Sequence, residues 1–160
     1  MAARRAFVIT VSDRAAAGVY VDRSGPAVTQ LLQEAGFDVV GSSVVPDEVD
    51  AIRNALRSGG PGLIVTTGGT GLAVRDVTPE ATADLIEREV PGIAEEMRRA
   101  GVAATPMAIL SRGLAGVMGS SLVINLPGSV RGATESLAAV LPALGHAVDL
   151  LAGESGHPSS

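Results

Sequence analysis

A chain of 160 residues, 46% hydrophobic and 18% charged, is long enough to build one domain around a real core, which excludes disorder as a description of the whole. A net charge of -5 and an aromatic content of 2% supply neither the basic stripe nor the stacking platform of a nucleic-acid binder. The lack of cysteine excludes disulfides, thiolate catalysis and cysteine-based zinc sites. In chain order, Phe7 to Val11 is a β-branched run that reads as a buried strand ending at the polar Ser12-Asp13-Arg14. After a loop to about Arg23, Ser24-Gly25-Pro26 opens a helix with Val28, Leu31, Leu32 and Ala35 on one stripe and Gly36 at its C-terminal cap. Val39 to Val45 is a second strand stopped by Pro46, and Asp47 reads as the N-cap of a helix carrying Ile52, Ala55 and Leu56 and ended by Gly59-Gly60.

Leu63 to Thr66 is the third strand, and it empties into a glycine loop. Thr78 reads as the cap of the next helix, with Pro79 in its first position and Leu85 and Ile86 on its apolar side. Pro91-Gly92 precedes another helix through Ile93, Met97 and Ala100, and Met107 to Leu110 fits either strand or helix. Leu114 to Met118 and Leu122 to Leu126 read as a hairpin around Gly119-Ser120-Ser121. A long stripe of Leu137, Val140, Leu141, Leu144, Val148 and Leu151 closes the chain, with Pro142 expected to kink or restart that helix.

Strands alternating with helices at this spacing predict an α/β fold: a three-layer α/β/α sandwich around a mostly parallel sheet, with one antiparallel strand from the hairpin. The expected organisation is a single domain over residues 1-152 with a loose polar tail over 153-160 that holds His157. The run Ala6 to Val11 behind Arg4 and Arg5 is too short for a signal peptide, and Pro142, His146 and Asp149 interrupt the one long apolar segment. The expectation is therefore a cytoplasmic protein with no membrane span. His146 reads as an ordinary helix residue.

The stretch Thr66-Thr67-Gly68-Gly69-Thr70-Gly71, followed by Arg75-Asp76-Val77-Thr78-Pro79-Glu80, has the layout of an anion site. Glycines let main-chain N–H groups approach a phosphate, threonine hydroxyls can donate to its oxygens, and Asp76 stands where a carboxylate could hold Mg²⁺ against a polyphosphate. The string matches neither the G-x-G-x-x-G fingerprint nor a P-loop, because the chain contains no Lys. Arg14, Arg75, Arg112 and Arg131 adjoin strand-end loops and are cations available to phosphates. In a parallel sheet, ligands sit at the carboxyl ends of strands, so the loops at Ser12-Asp13-Arg14, Pro46-Asp47-Glu48, Thr67 to Asp76 and Asn125 to Ser129 are expected to share one rim. Asp47 is adequate as a helix cap, and Ser129 can cap a helix whose N-terminus faces an anion.

The motifs VITVSDR (Val8 to Arg14), VPDE (Val45 to Glu48), TTGGTG (Thr66 to Gly71), RDVTPEA (Arg75 to Ala81), ILSRG (Ile109 to Gly113) and INLPGS (Ile124 to Ser129) together resemble the Mog/MoaB family of molybdenum-cofactor biosynthesis proteins. The same molybdopterin-binding fold occurs as the N-terminal domain of gephyrin. The resemblance implies binding of molybdopterin and, as in the Mog branch, its adenylylation with Mg·ATP and release of pyrophosphate. It makes Asp47 and Asp76 catalytic and Mg²⁺-holding carboxylates. It assigns nucleotide or phosphate contact to Ser12, Asp13, Thr67, Gly68, Gly69, Thr70, Gly71 and Arg75, and substrate contact to Ser111, Arg112, Asn125, Pro127, Gly128 and Ser129. Val130-Arg131 departs from the Pro-Lys or Pro-Asn found in many members. The resemblance also implies a homo-oligomer, a trimer or a hexamer. Other readings of the same residues are a MoaB-like pterin-phosphate binder without adenylyltransferase activity, and a scaffold module.

Overall fold

The computed structural model describes residues 3–154. Strand β1 (Arg5–Val11) leads through a one-turn helix α1 (Asp13–Ala16) to α2 (Ser24–Glu34), β2 (Asp38–Val45), α3 (Val49–Ser58) and β3 (Gly62–Thr67). Beyond the glycine loop come α4 (Thr78–Ala83), β4 (Arg88–Glu89) and α5 (Pro91–Ala104). A 3₁₀ turn (Pro106–Leu110), β5 (Ala115–Met118), β6 (Ser121–Leu126) and α6 (Val130–Leu151) complete the chain. Residues 155–160 of the expected tail, including His157, lie outside the described residues.

One six-stranded sheet runs in the order β2-β1-β3-β6-β5-β4. β1, β2, β3 and β6 are mutually parallel, and β5 is the antiparallel strand, paired with β6 on one side and β4 on the other. Alternation along the central strands sorts the core into two layers. Ala6, Val8, Leu63, Val65, Leu122 and Ile124 face α2, α5 and α6, whereas Ile9, Val11, Ile64 and Val123 face α3 and α4. Burial on both faces explains why the strands read as continuous apolar runs, and it confirms the three-layer sandwich. No helix among the described residues is long and apolar enough to cross a membrane.

Several local expectations need correction. Asp47 does not cap α3: the cap position is Glu48, which makes no side-chain bond there. The Asp47 carboxylate instead accepts from the Asp13 N–H at 2.9 Å, so the neighbouring loop has claimed it. Thr78 is the first residue of α4 rather than its cap, because its buried hydroxyl donates to Gly68 O at 2.9 Å and satisfies a carbonyl that packing has cut off from water. Leu85 and Ile86 follow α4 instead of extending it, yet they pack on the same core layer. α6 runs unbroken through Pro142, which neither ends nor restarts it. Met107 to Leu110 resolves as the 3₁₀ turn, and neither α1 nor the two-residue β4 was signalled by periodicity.

Candidate active site

Because β1, β2, β3 and β6 are parallel, their following loops meet on one rim, as the strand pattern predicts. Ser12 N–H donates to Val45 O, Gly68 N–H to Leu126 O, and the Thr67 hydroxyl to Pro127 O at 2.7 Å. Two glycines make this approach possible. Gly68 sits at φ +106, where a Cβ would strike the carbonyl of Val11, and a Cβ on Gly128 would lie 3.2 Å from Gly68 Cα. The loop beyond Gly68 is held from outside: Arg112 donates from its backbone to Thr70 O and from its guanidinium to Gly71 O and Asp76 O, and it also pairs with Glu80. Among the described residues, the N–H groups of Gly69, Thr70 and Gly71 have no acceptor, so the loop's inner edge is free to donate.

The two candidate catalytic carboxylates stand on either side of that loop. Asp47 Oδ1 lies 3.1 Å from the place a Cβ would take on Gly69, and Asp76 Oδ2 lies 2.9 Å from the corresponding place on Gly71. Each carboxylate has one engaged oxygen. Asp47 Oδ2 accepts from Asp13 N–H, and Asp76 Oδ2 accepts from Ala73 N–H at 3.0 Å. The Asp13 carboxylate in turn accepts from Asp47 N–H at 2.9 Å and is gripped by Arg75 through two bonds of 2.7 Å.

This arrangement separates the acids electrostatically. The Arg75 guanidinium, helped by the Asp47 N–H, holds the Asp13 carboxyl below its ordinary range. Burial pushes the Asp47 carboxyl above it, opposed by the bond from Asp13 N–H and reinforced by the charges of Asp13 and Asp76. Asp47 is therefore a half-buried carboxylate whose charge is poorly compensated by the protein.

A cleft of about 620 Å³ opens beside the loop. Gly69, Thr70, Gly71, Asp76, Ser111, Asn125, Pro127, Gly128 and Ser129 line it, so most of the residues suggested by the sequence converge there. Ser12, Asp13, Thr67, Gly68, Arg75, Arg112 and Asp47 do not line it. Ser12 caps α1 by accepting from Ala15 N–H, and Thr67, Gly68 and Arg112 shape the loop from behind. Asn125 lines the wall with its amide already engaged: Nδ2 donates to Thr66 Oγ1 and Thr82 Oγ1, and Oδ1 accepts from Leu114 N–H, each at 3.0 Å. Ser129 caps α6 by accepting from Gly132 N–H, which turns that helix N-terminus toward the cleft.

The sequence reading missed the opposite wall. Ala94, Met97, Arg98 and Gly101 of α5, Met107 and Leu110 of the 3₁₀ turn, and Glu135 and Ser136 of α6 also line the cleft. Ala94, Met97 and Gly101 fall on one helical stripe that periodicity assigns to core, and Arg98 beside them reads as a surface charge. Only the packing of α5 on α6 reveals that the end of the stripe faces a cavity.

Among the described residues, no group of three or more His, Asp or Glu side chains could hold a metal ion. Two carboxylates with a free oxygen each do suit Mg²⁺, which is commonly bound by one or two carboxylates together with substrate phosphates and water. The donor set fits an ion that arrives with a nucleotide.

Comparison with known proteins shows the family of the chain. Residues 7–146 match the family model described as a probable molybdopterin binding domain. A molybdopterin adenylyltransferase of Helicobacter pylori is 43% identical over 152 residues, covering 91% of this chain and 86% of that protein. Gephyrin of Dictyostelium discoideum is 40% identical over 157 residues, which are 90% of this chain but 22% of gephyrin. The crystal structure of the molybdopterin biosynthesis enzyme MoaB from Thermus thermophilus matches with a TM-score of 0.86 at 50% identity, covering 93% of this chain and 96% of that one. Family model, relatives and fold thus agree that the chain belongs to the Mog/MoaB family of molybdenum-cofactor biosynthesis proteins.

Proposed function

We propose that this protein is a molybdopterin adenylyltransferase that joins the terminal phosphate of molybdopterin to the α-phosphate of ATP. The observation that carries the reading is the pair Asp47 and Asp76 flanking a glycine loop with free N–H groups at the edge of a cleft, in a chain related to a named molybdopterin adenylyltransferase. A phosphate oxygen of molybdopterin attacks the α-phosphorus, the bond from that phosphorus to the bridging oxygen breaks, and pyrophosphate leaves. The nucleophile is already anionic, so no Cys, Lys or His base is required. Positioning and charge stabilisation suffice, and the loop N–H groups and the α6 N-terminus are built to provide them. Asp47 and Asp76 would hold Mg²⁺, which when bound neutralises phosphate charge and aligns the leaving group. A poorly compensated Asp47 suits that task, because a cation relieves the cost of its burial.

The test follows pyrophosphate release on incubation with molybdopterin and Mg·ATP. Mg·ATP should also raise the thermal midpoint, and GTP should do so less, since a ligand that binds only the folded state stabilises it by mass action. If pyrophosphate is not released but molybdopterin binds, the MoaB-like binder is the correct reading. A protein that takes up neither ligand is the scaffold.

We also propose a homotrimer. Val19, Tyr20 and Val21 after α1, and Val40 and Val44 on the edge strand β2, are exposed, with Val19 and Val21 at 70% and 74%. Exposed apolar side chains near an open sheet edge favour burial against another copy. Light scattering at micromolar concentration should give three times the mass of one chain, and a monomer would refute the proposal.

A further inference from the structure

The cleft has a cation that the protein leaves unused. Two Arg residues line it, Arg98 and Arg131. Arg131 is paired with Glu135, whereas Arg98 forms no ion pair with any carboxylate among the described residues. Arg98 is half-buried on α5 and is fixed by its Nη1, which donates to Gly113 O at 3.0 Å and to Ser111 O at 3.4 Å. Its Nε and Nη2 groups have no acceptor among the described residues. A guanidinium tethered at one nitrogen with the rest of its fork open is arranged to receive a doubly accepting anion.

A second observation points to the same place. Ser136, on α6, is 3% exposed and lines the cleft, so a hydroxyl donor borders the same cavity. Ser136 lies about two turns along α6 from Ser129 at the helix N-terminus, and the intervening Gly132 also lines the cleft.

From this arrangement we infer that Arg98 is a specificity-determining residue that holds the terminal phosphate of the pterin substrate, with the Ser136 hydroxyl as a further donor to the same substrate. The inference rests on reading the cleft as a molybdopterin site. Its physical logic is charge balance. The reaction brings a phosphate and a triphosphate together beside two carboxylates, and Mg²⁺ is committed to the nucleotide. The molybdopterin phosphate needs its own counter-charge, and Arg98 is the cleft cation with no carboxylate to neutralise it. The flanking Ala94, Met97 and Gly101 make an apolar surface on which the remainder of a flat ring system can lie.

The experiment measures binding of molybdopterin and of a phosphate-free pterin to the full chain and to the Arg98→Gln, Arg98→Lys and Ser136→Ala variants. The Mg·ATP-induced thermal shift is read in parallel. Loss of a charge-assisted contact should weaken molybdopterin binding to Arg98→Gln by more than about tenfold. The phosphate-free pterin should bind wild type and variant alike, and the Mg·ATP shift should be unchanged. Arg98→Lys should recover most of the affinity because it keeps the charge. Both Lys and Gln carry N–H donors for Gly113 O, so a purely structural tether predicts equal losses for molybdopterin and the phosphate-free pterin in Arg98→Gln. Such equal losses would overturn the inference, as would a lost Mg·ATP shift in Arg98→Gln. Ser136→Ala should weaken molybdopterin binding by a smaller factor, about threefold to tenfold. Wild type that fails to bind molybdopterin would sink the proposed function itself, whereas wild type that binds while the Arg98 variants match it would sink only this inference.

Discussion

Replacing Asp76 with Asn should slow pyrophosphate release by at least about a hundredfold, near 2.7 kcal/mol of transition-state stabilisation, and leave molybdopterin affinity within about threefold of wild type. The structural reason lies in how Asp76 divides its oxygens. Oδ2 accepts from Ala73 N–H, a bond within the glycine loop that an Asn carbonyl can also accept. Once the Asn oxygen is used there, its amide nitrogen stands where the free carboxylate oxygen was and presents hydrogens to a cation. The loop keeps its shape and loses its charge. Steady-state turnover and direct pterin binding, measured on the same preparation, separate the two effects. A variant that retains more than about a tenth of wild-type turnover has lost under roughly 1.4 kcal/mol, too little for a metal-holding carboxylate.

Asp47→Asn should lose activity by a similar factor, at least about a hundredfold, but with the opposite sign in stability. Asn can still accept from Asp13 N–H, and the return bond from the residue 47 N–H to Asp13 Oδ1 is untouched, so the two loops stay linked. The ionised carboxylate is disfavoured in the fold, as its raised pKa records. A raised folded-state pKa contributes stability below the unfolded value near 3.8 and loses it as pH rises through the folded value, so at neutral pH the wild-type charge is a liability. The neutral variant should therefore unfold no more easily than wild type at pH 7. Its advantage should shrink as pH falls and Asp47 takes up its proton. Denaturant titrations at neutral and acidic pH test this, and a variant distinctly less stable at pH 7 would show that the charge itself holds the rim together.

That stability argument was out of reach of the sequence. VPDE before an amphipathic helix is an ordinary capping pattern, and nothing local reveals that Asp13, 34 residues earlier, competes for the carboxylate and wins. The strands were a different matter. The Leu63 to Thr66 and Leu122 to Leu126 runs have few alternatives once flanked by glycine and proline, and their parallel pairing brings the loops after them to one rim. Elements defined by partners rather than by their own pattern stayed hidden. The two residues of β4 are a strand only because β5 lies beside them, and Arg98 looks like a helix surface charge until the 3₁₀ turn and α6 close around it.

Asn125 sits at the seam between the sheet and α4, its amide shared among the hydroxyls of Thr66 and Thr82 and the N–H of Leu114. That closed exchange limits the paths open to mutation. Changing Asn125 alone to an apolar residue would orphan groups on three different segments, at about 1–3 kcal/mol for each one left without a partner, a cost that a domain of this size can rarely absorb. Changing either threonine alone leaves the amide half-served. The viable substitutions are concerted ones, in which Thr66 and Thr82 change together with position 125 while that position keeps an oxygen to accept from Leu114 N–H. These three positions should therefore behave as a single inherited unit, even though 59 residues separate the first from the last.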